Sequence, residues 1–542
     1  MMQTLPERKP ACTPLYRHLL RAAVALGAVL AVASALAADG WVDTPMDETR
    51  ARAMMGRLGY GATPATLRQG TGQTPRHYLL RAIQEVSVLP AEVSTRIAGM
   101  PVRQDLDTLW RRLGPGGSER QGMEEAPRED VQREMNQYAA ATVQARLLTM
   151  ANSDNTGREA LLSFWLNHFS IYVPKGPVKL LAWDYIAALD RAMREDSFEA
   201  LLRASFYHPA MQLYLDNAQS TAPDSRAATF AAGRGRQLGI NENLARELLE
   251  LHTLGVDAGY SQADVRALAR IITGAGVYAP AMQENNLARA GAVRQGLFLF
   301  DPRRHDFGEK TFLGEFFPAG QGQAEIDRAL QLMARHPATA RRISSKLAQR
   351  FLADDPPAAV VDAMSAAWLR SGGRISATLL ALLESPAFAA SLAKPAKFKE
   401  PLDYLLSLAR AACGDRPLNN PLLLAASAMD MGQAPLMHTT PDGYGSRESD
   451  WLSPAAMAKR TRLAIGTAAA RVPLAAGAHG ETFLARPANP QDLLKGTACP
   501  ADEHLLGQVL GPPADSTRQP GAALSAAERV ALRLASPEFM RR

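Results

Sequence analysis

The sequence predicts a mainly α protein: a large multi-helix globular domain with one small β-hairpin near 296–314. Three observations carry this. Alanine, leucine, arginine and glutamate recur at helical spacing over many segments of the 542 residues, and these residue types lose little on entering a helix. Several segments open with a capping residue followed by proline, which suits the first helical turn because its missing N–H has no partner there anyway. The clearest strand-like alternation of apolar residues lies between Gly296 and Gly314.

In chain order, the helical pattern covers Thr49 to Leu58, Glu129 to Ala151, Glu159 to Ile171, Trp183 to Arg194, Asn241 to Leu254 and Gln262 to Thr273. His208-Pro209, His336-Pro337, Ser385-Pro386 and Ser536-Pro537 are predicted helix starts, which gives both histidines a capping role to set against any chemical one. Gly114 to Pro127 is polar and glycine-rich, the composition of a mobile connector. Asn217 to Gly239 carries Ser220, Pro223, Asp224, Ser225, Gly233 and Gly235. A structureless loop of about 20 residues inside a compact domain is commonly functional or disordered, and its place just before Asn241 predicts a flap. Leu297-Phe298-Leu299-Phe300 and Thr311-Phe312-Leu313 flank Asp301 to Gly308, the pattern of two short strands joined by a loop. Met431 to Pro454 is again loop-like, and Leu383 to Phe388 echoes Leu534 to Phe539 over too few residues to make a repeat.

Residues 1–37 are a predicted secretory signal peptide. Arg8, Lys9, Arg17 and Arg21 form a basic region, Ala22 to Leu36 is a short run of small apolar residues, and Ala35-Leu36-Ala37 offers the small residues a signal peptidase accepts. The competing reading, a membrane anchor, needs about 20 apolar residues. Removing the segment takes the formal charge from +6 to +3, so part of the basicity belongs to targeting. No basic stripe with interleaved aromatics is present, and nucleic acid is not an expected partner. No second long apolar run follows, so no stable transmembrane segment is expected after cleavage. Cys413 and Cys499 would remain in an oxidising periplasm, either paired or as two buried thiols.

The chemistry-bearing stretch is Asn241 to Gly255. At roughly 100° per residue, Glu242, Asn243, Arg246, Glu247 and Glu250 share an arc of about 140°, while Leu244, Ala245, Leu248 and Leu249 fill the other side and His252 falls among them. A solvated face with i,i+4 ion pairs explains part of this arc; two asparagines and an arginine among three glutamates also suit a polar cleft. Further candidate parts are Asn167 and His168 at the end of an aromatic helix, Asp216 and Asn217, and His305-Asp306 on the loop after a strand, where loops often carry function. For Asp306 a turn ahead of Gly308 is the plainer account, and for His252 a core histidine. There is no CxxC, HExxH, GxSxG or Gly-rich phosphate loop. Imidazole with carboxylate serves general acid–base work or a divalent metal.

The Asn241–Val265 stretch, Trp165-Leu166-Asn167-His168-Phe169, His208-Pro209-Ala210-Met211 with Leu215-Asp216-Asn217, Arg304-His305-Asp306 with Lys310, and His336-Pro337-Ala338-Thr339-Ala340 resemble, in order, the recurring blocks of the bacterial family catalogued as domain of unknown function 1800. The resemblance runs from about Met54 to Arg460 and more weakly beyond. It implies a main helical domain over 38–460 with a helical extension, 461–542, packed on it. It also implies uncharacterised bacterial proteins, often encoded beside exported proteins of a sulfatase-like or phosphatase-like class.

The expectation is therefore an exported bacterial envelope protein, periplasmic or secreted, acting as a hydrolase through a His/carboxylate cleft. Glu247 would be general base or metal ligand, His168 and His305 ligands or proton carriers, Asp306 a further catalytic residue, and Arg246 the anchor of an anionic group. Asn167, Asn241, Asn243 and Glu250 would bind substrate, and a divalent metal is the cofactor such a cleft could hold; a haem or nicotinamide redox enzyme ranks last for lack of a cofactor motif. The alternative is a non-catalytic envelope scaffold that binds a sulfatase-like partner or a surface polymer.

Overall fold

The computed structural model describes residues 40–118, 125–477, 490–493, 495–499, 501–513 and 524–542. The predicted leader, 1–37, lies outside them, as do residues 119–124 of the predicted connector. Helices follow one another along the chain, and the strands among the described residues are two or three residues long. The protein is mainly α, and no single helix among the described residues is long and apolar enough to cross a membrane.

Local chemistry sets the helix starts. Asp47 accepts the Arg50 N–H at 2.7 Å ahead of Glu48–Leu58, and Asn155 accepts the Arg158 N–H ahead of Thr156–His168. His208 and His336 are caps as well: each Nδ1 accepts, at 3.1 Å, the backbone N–H two residues on, and proline follows as the first helical residue. Ser385 caps Pro386–Ala393 through its Oγ, which accepts the Phe388 N–H, three residues on, at 3.2 Å. Ser536-Pro537 does not start a helix. Ser536 receives the Phe539 and Met540 N–H groups in a single turn, after which Arg541 bridges to Phe398.

Thr156–His168 sits at the centre of the packing. Eleven of its thirteen residues are buried, so its polar side chains need internal partners. Glu159 meets Arg146, and Arg158 meets Asp190 and the Ile83 carbonyl. A second, smaller core gathers Phe398, Tyr404, Leu408, Leu506, Val509, Val530, Leu534 and Phe539. It lies where Pro401–Cys413, Pro454–Ala468, Glu503–Leu510 and Ala526–Leu534 pack together. Beside it Cys413 and Cys499 form a disulfide, with Cα atoms 4.9 Å apart.

The predicted hairpin needs correction. Both strands exist, but each pairs elsewhere. The strands are β1 (Ala275–Val277), β2 (Val293–Gln295), β3 (Phe298–Phe300), β4 (Lys310–Phe312) and β5 (Glu315–Phe317). β3 lies between β1 and β2 in an antiparallel sheet, and β4 turns back on β5. The β4–β5 turn is Leu313-Gly314, with φ of 50° and 77°, the left-handed pair that a two-residue hairpin turn requires. Asp264 accepts the Leu313 N–H at 2.8 Å and holds leucine in that conformation.

Candidate active site

The Asn241 stretch is helical in two grades, α over Asn243–Glu247 and π over Leu248–His252. The widened turn ends where Thr253 Oγ1 donates to the Leu248 carbonyl at 2.5 Å and the Gly255 N–H to Leu249 at 2.9 Å. Single π turns recur at functional sites. Here the turn delivers His252, fully buried, against Phe169 and His168.

His168 Nε2 lies 3.0 Å from the His252 carbonyl, and Nδ1 lies 3.1 Å from Lys346 Nζ. A carbonyl only accepts, so Nε2 carries the proton and Nδ1 is the acceptor of a Lys346 N–H. That tautomer is the neutral ring. Burial, then the charge of Lys346, holds His168 well below the usual imidazole range. His252 has both ring nitrogens unpartnered, and burial with the charges of Lys346 and Arg342 brings it down to about 3.

Lys346, on Pro337–Phe351, stands deep in the protein yet keeps part of its surface open to a cavity of about 300 Å³. None of the described carboxylates pairs with it. Burial and the charge of Arg342, only partly opposed by Asp442, bring its ammonium down to about 8. Arg146, Asn167, Gln349, Arg350, Asp403 and Asp442 also line the cavity.

The roof is the 434–446 segment, and Asn167 fastens it. Its amide accepts the Tyr444 N–H at 2.8 Å and donates to the Tyr444 carbonyl at 2.9 Å. Only glycine fits at 443, where φ is +74° and a Cβ would stand 2.3 Å from the Asn167 carbonyl oxygen. Tyr444 donates to the Ala434 carbonyl, and Ser446 to Gln349. The predicted flap, 217–239, lies elsewhere: it contributes nothing to the cavity lining and is pinned to the 303–304 loop. Arg304 donates to the Ala218 and Ser220 carbonyls, and the Ala222 and Ala227 N–H groups donate to Arg304 and Arg303.

Other predicted residues distribute as follows. Glu247 is half-buried, and its carboxyl is raised by burial, then by the charges of Glu250 and Asp442, against Arg246. It thus shares the field of Asp442 with Lys346. Arg246 spans Glu242 at 3.4 Å and Glu250 at 3.3 Å, the ion-pair account of this arc. Asn241 accepts the Asn243 N–H at 2.9 Å, and the Asn243 side-chain amide reaches the Leu215 carbonyl.

His305 and Asp306 belong to a different cluster. His305 Nδ1 donates to the Thr273 carbonyl at 2.7 Å, and Nε2 stands 2.8 Å from Glu325, close but poorly aligned for a hydrogen bond. Lys310 also pairs with Glu325, at 2.7 Å. Asp306 takes both arms of Arg270 and the Gly308 N–H, the turn geometry considered from sequence. Among the described residues no three His, Cys, Asp or Glu side chains are grouped to hold a metal ion. The metal-ligand set of Glu247, His168 and His305 is therefore not assembled, since both nitrogens of His168 are already engaged and His305 turns to Glu325.

The two depressed histidines set a pH dependence. Each folded-state value lies below the unfolded one, so the stability they carry is complete above about pH 6.5 and is lost as pH falls towards His252's folded value. Urea unfolding is expected to lose stability as pH falls from 6 to 5, with about 1.2 kcal/mol per pH unit from the His252 ring. His252→Leu should make that slope clearly shallower; an unchanged slope would exclude a buried neutral His252.

The cavity-lining residues that the sequence did not single out are Lys346, Arg350, Glu400 and Asp403. Arg342, Lys346 and Arg350 recur every fourth residue, a basic stripe that was the available signal. No curated protein and no solved structure matches the chain. A family model described as a protein of unknown function (DUF1800) matches residues 53–541, nearly its whole length, so the chain belongs to the DUF1800 family.

Proposed function

We propose that the protein is an exported bacterial envelope hydrolase whose proton-transfer group is Lys346, working in the cavity roofed by 434–446. The observation that carries this is a lysine deep in the fold, brought down to about 8, open to a polar cavity and hydrogen-bonded to a neutral histidine. General bases work best with a pKa near the operating pH. A neutral amine has two N–H bonds and one lone pair. With one N–H given to His168 Nδ1, the lone pair is free to take a proton from water or a substrate hydroxyl. His168 is then a positioning residue; Glu247, whose raised carboxyl shares the field of Asp442 with Lys346, does not line this cavity and is assigned no step in it. Export rests on the 1–37 sequence and is supported by the disulfide, which persists in oxidising compartments.

The test is a panel of chromogenic carboxylate, sulfate and phosphate esters and glycosides, assayed from pH 6 to 10. The wild-type protein is expected to hydrolyse at least one class, with a rate that rises through about pH 8. Lys346→Met should lower that rate by about 100-fold or more without lowering the thermal unfolding midpoint, because a buried charge has been removed. If no class is turned over, or if Lys346→Met keeps full activity, the hydrolase reading fails.

A further inference from the structure

A second cavity of about 470 Å³ shares Tyr60 and Asp403 with the Lys346 pocket and opens among Glu48–Leu58, Pro401–Cys413 and the 509–513 and 533–542 segments. Six of its lining residues are basic and two, Asp403 and Glu538, are acidic. Arg57 is 1% exposed; its Nη atoms donate to the Leu352 carbonyl at 3.0 Å and the Ser391 carbonyl at 2.8 Å, and its Nε has no partner. Carbonyls satisfy N–H groups but leave a whole positive charge in place. Arg542, 4% exposed, gives Nη2 to the Arg350 carbonyl at 3.0 Å and lies 3.3 Å from Asp403, while Nε and Nη1 are unpartnered. Asp403 is already spanned by both arms of Arg350. Lys399 adds a third cation, 3.0 Å from Ser407 Oγ and 3.8 Å from the Phe539 ring centroid.

Three buried guanidinium nitrogens without acceptors and a surplus of buried positive charge are costly unless something negative sits with them. Much of the remaining wall, including Ala53, Leu392, Val509, Leu510 and Phe539, is apolar. We propose that this cavity binds an amphiphilic organic anion, its oxyanion head held by Arg57 and Arg542 and its apolar body lying along Val509, Leu510 and Phe539. Guanidinium pairs favour carboxylate, sulfate and phosphate heads alike, by forked N–H donation. Two shifts accord with it: burial and the charge of Arg542 pull Arg57 down to about 9, and burial brings Lys399 to about 7. A bound anion relieves both. The site is separate from Lys346 and stands whichever reaction that pocket performs.

Calorimetric titration of the full-length protein with octanoate, octyl sulfate and octylphosphonate tests the proposal, with octanol and octylammonium as controls. At least one anion is expected to bind with one-to-one stoichiometry, and the controls at least tenfold more weakly; which anion binds best distinguishes the head group. Gly56 lines the cavity from the Glu48–Leu58 helix, and a Cβ there meets nothing within 4 Å. Gly56→Phe therefore fills the space while keeping every charge and should lose at least tenfold in affinity with wild-type unfolding behaviour. Arg57→Met should lose as much, and if it does not fold, Gly56→Phe decides alone. No binding by any anion, octanol binding as tightly as the anions, or wild-type affinity in Gly56→Phe overturns the proposal.

Discussion

Arg350→Met is expected to destabilise the protein by about 3–5 kcal/mol, because it leaves two carboxylates facing each other in the interior. Arg350 holds Asp403 with both arms at 2.8 Å and Glu400 at 2.7 Å, and Gln433 donates to the other oxygen of Glu400. Burial pushes the Asp403 carboxyl up, but the charges of Arg350 and Arg542 more than offset it and hold it well below the usual range. That part of the stability is complete above the unfolded carboxylate range and is lost as pH falls through the folded value. Removing one charge of each sign as Arg350→Met and Glu400→Gln together should recover part of the loss, since Asp403 keeps Arg542 as its partner and desolvation costs vanish with the ions. Urea unfolding of both variants measures this. A loss below about 1 kcal/mol in Arg350→Met would mean that water reaches the network and screens it.

Removing the Cys413–Cys499 disulfide comes next in size. The bond closes a sequence separation of 86 residues, and the chain-entropy model gives about 4–5 kcal/mol for a loop of that order. It also anchors the segment whose Gly496–Thr497 strand pairs with Ala476–Gly477. The Cys413→Ser, Cys499→Ser double variant should unfold at clearly lower urea, and the wild-type protein in reductant should follow it. Non-reducing peptide maps of native material should contain the linked pair. Coincident unfolding curves, or two freely alkylated thiols, would contradict the assignment.

What the sequence made legible was mostly local. His208 and His336 cap helices because the side chain, the proline and the accepted N–H all lie within three residues. Most helix limits fall within a few residues of the pattern for the same reason. The π turn was not legible, because the apolar spacing of Leu244, Leu248 and Leu249 fits an ordinary helix; Thr253 and Gly255 set the turn instead. The partner of Phe298–Phe300 was hidden because a three-residue strand carries little register information, and Ala275–Val277 belongs to no apolar alternation.

At the site, Asn167 and His168 stood out because packing does not explain an Asn-His pair on an aromatic helix. Their partners did not stand out: Lys346 looks like any solvated helix lysine until tertiary contacts surround it, and Tyr444 meets Asn167 through its backbone. His305-Asp306 had the same appearance as a site, but Glu325, Lys310 and Arg270 satisfy it internally. Residue type and loop position cannot separate a reactive histidine from one whose partners lie a helix away.

Burial and the charge of Arg342 bring Lys346, hydrogen-bonded to His168, down towards neutrality. Its titration can be followed by NMR of protein carrying ¹³C-labelled lysine, with the Lys346 signal identified by its absence in Lys346→Met. A midpoint near 8 is expected, together with a His168 ring that keeps its proton on Nε2 across the same range. A midpoint at the ordinary lysine value of about 10.4, or a His168 ring that titrates in the usual imidazole range, would contradict it.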